Sequence, residues 1–165
     1  MAAHELNRVA ARQVLRSPLL LLAFGFGSGL APRAPGTAGT LAAVPLYLLL
    51  VQGGFTVYLV LVVFICVMGV GICGGAARRL GVHDHPGIVW DEFAGFLITM
   101  LAAPPGWTGV VAGFCLFRLF DIWKPWPISW VDRKVSGGTG IMLDDVIAGL
   151  FAAVILHLAM RAQIF

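Results

Sequence analysis

A chain of 165 residues is one domain's worth, and 59% hydrophobic residues with a mean hydropathy of +0.93 exceed the apolar share of an ordinary soluble domain. The composition points to an integral membrane protein built as a single unit over residues 1–165. The net charge of +3 is spread over scattered basic residues rather than a stripe interleaved with aromatics, which argues against a nucleic-acid partner and leaves anionic lipid as the natural counter-charge.

In chain order, residues 1–17 carry Arg8, Arg12 and Arg16 at spacings of four with Leu6, Val9 and Val14 between them, which suits a short helix on the membrane surface. The basic start ahead of an apolar run is like a signal peptide, but the run is broken by glycines and its removal would cost the rest its anchor, so cleavage is not expected. Pro18 to Leu30 is short and holds Gly25, Gly27 and Gly29, which suits a re-entrant or interfacial segment. Leu41–Val51 with its small-residue lead-in, Phe55–Ala77, Ile88–Ala103, Trp107–Trp123 and Met142–Met160 are the helical candidates. Gln52-Gly53-Gly54 and Pro104-Pro105-Gly106 read as hairpin turns between them. The fold expected is all-α: a polytopic membrane bundle of about four to five apolar helices, some short enough for tilted or partial spans. With a cytoplasmic N-terminus and five crossings, Arg33, Arg78, Arg79, Lys124, Arg133 and Lys134 fall on or near the cytoplasmic side and Arg161 does not, in agreement with the positive-inside rule.

Seven of the eight acidic residues lie between Asp84 and Asp145, in or beside these apolar stretches. An ionised residue at the bilayer centre costs roughly 2.5–3.5 kcal/mol on insertion scales, so such carboxylates need a compensating partner. Two sites look like copies of one device: Gly87-Ile88-Val89-Trp90-Asp91-Glu92 followed by Ala94-Gly95, and Gly140-Ile141-Met142-Leu143-Asp144-Asp145 followed by Ala148-Gly149. Either pair alone fits simple capping of a helix start. Two matched pairs feeding one face fit a cation site, and oxygen ligands without Cys or His at zinc spacing suit Mg²⁺. Gly95 and Gly149, one turn on, would let the two helices approach closely.

Arg118, Asp121 and Lys124 are spaced to share a helix face before Pro125 and Pro127 end it. Snorkelling bases in a belt of Trp123, Trp126 and Trp130 would explain the cations alone. The functional reading is a phosphate clamp, with Arg118 a bidentate fork, Lys124 a point charge and Asp121 a further metal ligand. Asp132 and Arg133 would pair with each other, and the run from Ser136 to Gly140 reads as a flexible loop whose N–H groups could approach an anion. Pro35-Gly36-Thr37-Ala38-Gly39-Thr40 offers hydroxyls and a helix N-terminus for an anion, or a plain turn capped by Thr40; it lacks the Walker A lysine. His83-Asp84-His85 is extended, so the histidines would flank Asp84 on opposite sides. One could act as general acid, with Asp84 the better candidate for ligand or base. Cys66, Cys73 and Cys115 read as buried small hydrophobes. Cys73 to Arg79 has the C-x5-R spacing of cysteine phosphatases, but its apolar setting does not suit a nucleophilic thiol.

The blocks PGTAGTLAA, VHDHPGIVWDEFAG and FRLFDIWKPWPISWVDRKVSGGTGIMLDDVIAG, covering roughly residues 24–150, resemble the bacterial phosphatidylglycerophosphatase A family. The resemblance implies a Mg²⁺-dependent lipid phosphatase of the inner membrane, and the charge pattern above adds the expectation of a multi-pass chain with its active site facing the cytoplasm. It would remove the terminal phosphate of phosphatidylglycerophosphate to give phosphatidylglycerol. Its phospholipid substrate would meet Asp84, Asp91, Glu92, Asp121, Asp144 and Asp145 as catalytic groups, all but Asp84 being candidate Mg²⁺ ligands. Thr37, Thr40, Arg118, Lys124 and Arg133 would bind the headgroup phosphate. A phosphatase of another lipid phosphate, such as phosphatidate, and a non-enzymatic ion-coupled transporter are the competing expectations.

Overall fold

The computed structural model describes residues 11–104 and 106–163, with helices and no strand among them. Most of the expected surface helix, residues 1–10 with Arg8, lies outside the described residues. The described part opens with α1 (Ala11–Leu15), then α2 (Pro18–Ala23), whose N-cap Ser17 accepts the Leu20 N–H at 3.4 Å. A 3₁₀ segment, Gly25–Leu30, follows with Phe26 and Gly27 at φ 57° and 101°, turning the chain after only six residues of α2. This short segment is too brief to span a bilayer, as its glycines imply.

Helix α3 (Pro35–Leu50) begins six residues before the apolar run at Leu41. Ala34 is left-handed at φ 47°, and Pro35 starts the helix with its φ already fixed, so the Gly/Thr stretch is helix rather than loop. A 3₁₀ turn over Val51–Gly53 leads into α4 (Gly54–Leu80), and Tyr47 meets Tyr58 edge to face at 6.0 Å across the corner. Tyr58 Oη also donates to the Leu97 carbonyl at 2.7 Å, tying the hairpin to the next helix.

That next helix, α5 (Trp90–Thr99), has every residue buried except the partly exposed Glu92. Its ten residues rise only about 15 Å, so it sits inside the bundle rather than crossing a bilayer. After the Met100–Ala102 turn come α6 (Trp107–Trp123), α7 (Ile128–Lys134) and α8 (Gly137–Arg161). Helix α8 starts five residues earlier than its apolar pattern suggests. Gly138 is the reason, since it lies against the α4 backbone, where an added Cβ would fall 2.8 Å from Gly74 N. The run from Ser136 to Gly140 is therefore a helix start packed on α4 through Gly138, not a free loop.

The stretches 35–80 and 137–161 are long and apolar enough to cross a membrane. Phe55, Val60, Val63, Phe64 and Val67 on α4 and Val154 and Leu158 on α8 stand exposed, as side chains facing lipid would. Within the bundle Phe93, Phe96, Leu97, Phe117, Ile128 and Leu156 are fully buried. Helices α5 and α8 touch at two glycines: a Cβ on Gly149 would lie 3.1 Å from the Gly95 Cα. Thr99 Oγ1 spans the contact, 3.0 Å from the Gly95 carbonyl and 3.3 Å from that of Gly149.

Candidate active site

One end of the bundle encloses a cavity of about 340 Å³. The starts of α3, α5 and α8, the end of α6 and the loop after α4 all contribute to its wall. The acidic pairs reach it by different routes. Asp91 and Glu92 lie in the first turn of α5, whereas Asp144 and Asp145 are eight and nine residues into α8, too deep to cap it. The glycine contact explains why the pairs meet, because Gly95 follows Asp91 by one turn and Gly149 follows Asp145 by one turn.

Asp91, Glu92 and Asp145 each present a carboxylate oxygen within 4.8 Å of the other two. Burial, reinforced by the neighbouring Glu92 charge, holds the Asp91 carboxyl well above its usual range. Burial above all, with Asp145 and Asp121 adding to it, pushes Glu92 up to about 8 despite Arg118 and its hydrogen bond with Asp91. The oxygens Glu92 Oε2 and Asp144 Oδ1 are buried with no hydrogen-bond partner among the described residues. A crowded, buried and under-satisfied set of oxygen donors fits a hard divalent cation, which would replace the missing protons and partners.

Cations already present divide the other acids. Arg118 Nη1 forms an ion pair with Asp121, three residues on, and approaches Glu92 Oε1 at 3.9 Å. Its Nε is buried without a hydrogen-bond partner among the described residues, leaving a donor for an incoming anion. Gly36 lies directly on this pair: an added Cβ would run into Glu92 Oε1 and come within 3.1 Å of Arg118 Nη1. Lys124 does not share the Arg118 face as its spacing implies. Helix α6 ends at Trp123 and Lys124 is left-handed at φ 45°, so its Nζ swings to Asp132 Oδ1 at 2.7 Å and Asp144 Oδ2 at 2.6 Å. Burial alone would lower the Lys124 ammonium, but these two carboxylates outweigh it and hold its pKa above the usual range. Asp132 thus pairs with Lys124, not with Arg133.

Thr37, Thr40 and Arg133 stand apart from the cavity wall. Thr40 is fully buried, its hydroxyl donating to the Gly36 carbonyl at 3.0 Å as an internal helix bond, and Arg133 is exposed at the end of α7. Of the Gly/Thr stretch, it is Pro35 and Gly36 at the first turn of α3 that line the cavity, not the two threonines.

The histidines do diverge. His83 lines the cavity, and its Nε2 accepts the Gly137 N–H at 3.1 Å, so in neutral His83 the proton sits on Nδ1. His85 is buried against Phe24, and its Nδ1 accepts the Gly87 N–H at 3.0 Å. Asp84, between them, lies exposed on the cavity rim. The loop is held in place where Val89 N–H donates to the Ala23 carbonyl at 2.8 Å. Cys73 and Arg79 both lie within α4, so no thiol cradle forms, and Cys115 is exposed rather than buried. Sequence reasoning missed the roles of Gly36 and Gly138; no residue type marks a glycine that touches a side chain or helix distant in the chain.

A family model described as phosphatidylglycerophosphatase A matches residues 21–160. The chain is 51% identical over 148 residues to phosphatidylglycerophosphatase A of Escherichia coli, covering 88% of this chain and 86% of that one. It is 44% identical over 143 residues to the protein of the same name in Haemophilus influenzae, covering 86% and 88% of the two chains. A relative in Bacteroides thetaiotaomicron, provisionally named a phosphatidylinositol-3-phosphatase, is 38% identical over 151 residues, covering 85% and 92%. No solved structure matches the chain. The match over most of its length shows that the chain belongs to the phosphatidylglycerophosphatase A family.

Proposed function

We propose that this protein hydrolyses the terminal phosphomonoester of phosphatidylglycerophosphate, yielding phosphatidylglycerol and phosphate, with Mg²⁺ as its cofactor. The observation that carries the reading is the juxtaposition of three close carboxylates, Asp91, Glu92 and Asp145, with the unpartnered Nε of Arg118 in one cavity. Mg²⁺ held by those carboxylates would supply charge neutralisation for the phosphate and activation of a water for attack.

The chain's own residues divide the remaining work. Arg118 binds the phosphate through the donors that Asp121 leaves free, while Asp121 fixes its guanidinium. Lys124, tied to Asp132 and Asp144, sets a second positive charge in the cavity wall and keeps Asp144 in place. His83 on the cavity wall is the group suited to protonate the departing glycerol oxygen once it has taken up a second proton as the imidazolium, returning to the neutral form that accepts the Gly137 N–H, and Asp84 at the rim takes the proton from water. The apolar bundle excludes bulk water behind the carboxylates and strengthens these charge contacts.

Membrane placement follows from charge. Arg33, Arg78, Arg79, Arg133 and Lys134 stand at the cavity end of the bundle and Arg161 at the other, which supports the reading of a multi-pass inner-membrane protein whose cavity faces the cytoplasm. The test is phosphate release by detergent-purified protein from phosphatidylglycerophosphate, with phosphatidate and phosphatidylinositol 3-phosphate alongside. Fast release favouring phosphatidylglycerophosphate is expected. Preference for either other lipid would move the headgroup assignment, for which the Bacteroides relative gives a specific reason. No release from any by folded protein would end the phosphatase reading.

A further inference from the structure

The cavity rim has two chemistries. His83, Asp84 and Asp132 make one side polar, whereas on the α6 side Ile122 is at once a wall of the cavity and 70% exposed. The cavity therefore opens through Ile122 onto the outside of the bundle. Residues at spacings of four, three and four share one row of a helix, and back from Ile122 this row holds Arg118, Cys115 and Val111. Arg118 turns into the cavity, while Cys115 is exposed and Val111 is 60% exposed. An apolar track thus runs from the phosphate-binding arginine along α6 toward the middle of the bundle.

We infer that this row of α6, Ile122–Cys115–Val111, is the seat of an acyl chain of the lipid substrate, so that the tail and not only the headgroup is recognised. The inference rests on the lipid phosphatase reading. Two observations favour an acyl chain as occupant. The row is continuous with the cavity through Ile122. Its eleven-residue reach from Val111 to Ile122 spans about 16 Å, close to the roughly 15 Å depth of one hydrocarbon leaflet. A phosphate seated on Arg118 then has its tail descending beside the same helix, with no need to leave the membrane.

The test compares the diacyl substrate with its deacylated headgroup phosphate, glycerophosphoglycerophosphate, in one detergent. The double variant Cys115→Asn, Val111→Asn, at the two positions of the row outside the cavity wall, should raise KM for the diacyl lipid about tenfold, since two apolar contacts are lost. Its kcat should hold within about twofold, and turnover of the deacylated compound should match wild type. Val154→Asn, an equally polar change at a 59% exposed position of α8, should leave the diacyl KM at its wild-type value. A loss that falls equally on both compounds, a loss in kcat alone, or an equal loss in the Val154 variant would overturn the inference while leaving the phosphatase reading intact. Spontaneous disulfide pairing of Cys115 between two copies in native membranes would also overturn it, by showing a second chain on this row. Wild type inactive on both compounds would instead remove the phosphatase reading, and the acyl seat with it.

Discussion

Gly95 and Gly149 meet backbone to backbone, a Cβ on Gly149 falling 3.1 Å from the Gly95 Cα, and one turn before each of them lies a carboxylate of the same cluster. The close approach of α5 and α8 is therefore what brings Asp91 and Asp145 together. Gly149→Ala should push the helices apart, lowering stability by about 1–3 kcal/mol through overpacking and lowering phosphate release more than tenfold. Gly71→Ala, on α4 with nothing near the added Cβ, should instead stabilise by about 0.4–1 kcal/mol. Thermal melts and phosphate release in the same detergent would check both.

The two partners of Lys124 are unequal. Asp144 is 9% exposed and Asp132 39%, so the bond to Asp132 is screened by solvent and the one to Asp144 is not. Asp132→Asn should change activity less than about threefold. Lys124→Met leaves Asp144 without its cation and should lower kcat/KM by about 10²–10³. Steady-state kinetics on the two variants decide; equal effects would contradict this division.

Stability without a cation should depend on pH in a set direction. Burial raises Asp91, and raises Glu92 to about 8. A carboxyl whose pKa rises on folding favours the folded state fully below its unfolded value and loses that contribution as pH climbs through its folded value. In EDTA the melting temperature should thus fall between about pH 5 and pH 8. Saturating Mg²⁺ should raise it most at the alkaline end, where the carboxylates no longer need to shed protons to bind. A melting temperature in EDTA that rises across this range would contradict the crowded-carboxylate reading.

His83 joins two roles that substitution can separate. His83→Gln can keep an acceptor for the Gly137 N–H but has no comparable proton to give, so kcat should fall about 10²–10⁴ with little change in melting temperature. Unchanged kcat would restrict His83 to capping α8.

The helical class, the apolar stretches and the acidic pairs were legible because each is local: periodicity marks helices, and charged residues in apolar runs stand out by their cost. The paired glycines one turn after each acidic pair were legible too, and they do pack together. Helix starts were not, since hydrophobicity places α3 at Leu41 and α8 at Met142, while Pro35 and the Gly138 contact with α4 begin them earlier. That shift moved Thr40 from a cap to a buried helix position. The partner of Lys124 was hidden for a similar reason, because its left-handed backbone at the end of α6 breaks the helical spacing on which a face-sharing argument depends.

The central claim is that Asp91, Glu92 and Asp145 form one divalent-cation site. It is tested most directly by electron paramagnetic resonance of Mn²⁺, added as a spectroscopic stand-in for Mg²⁺ to chelator-stripped protein. Saturable binding that Mg²⁺ displaces, and that Asp145→Asn and Glu92→Gln each weaken at least about tenfold, is the predicted result. Wild-type binding in both variants, or no saturable binding by the folded wild-type protein, would contradict it.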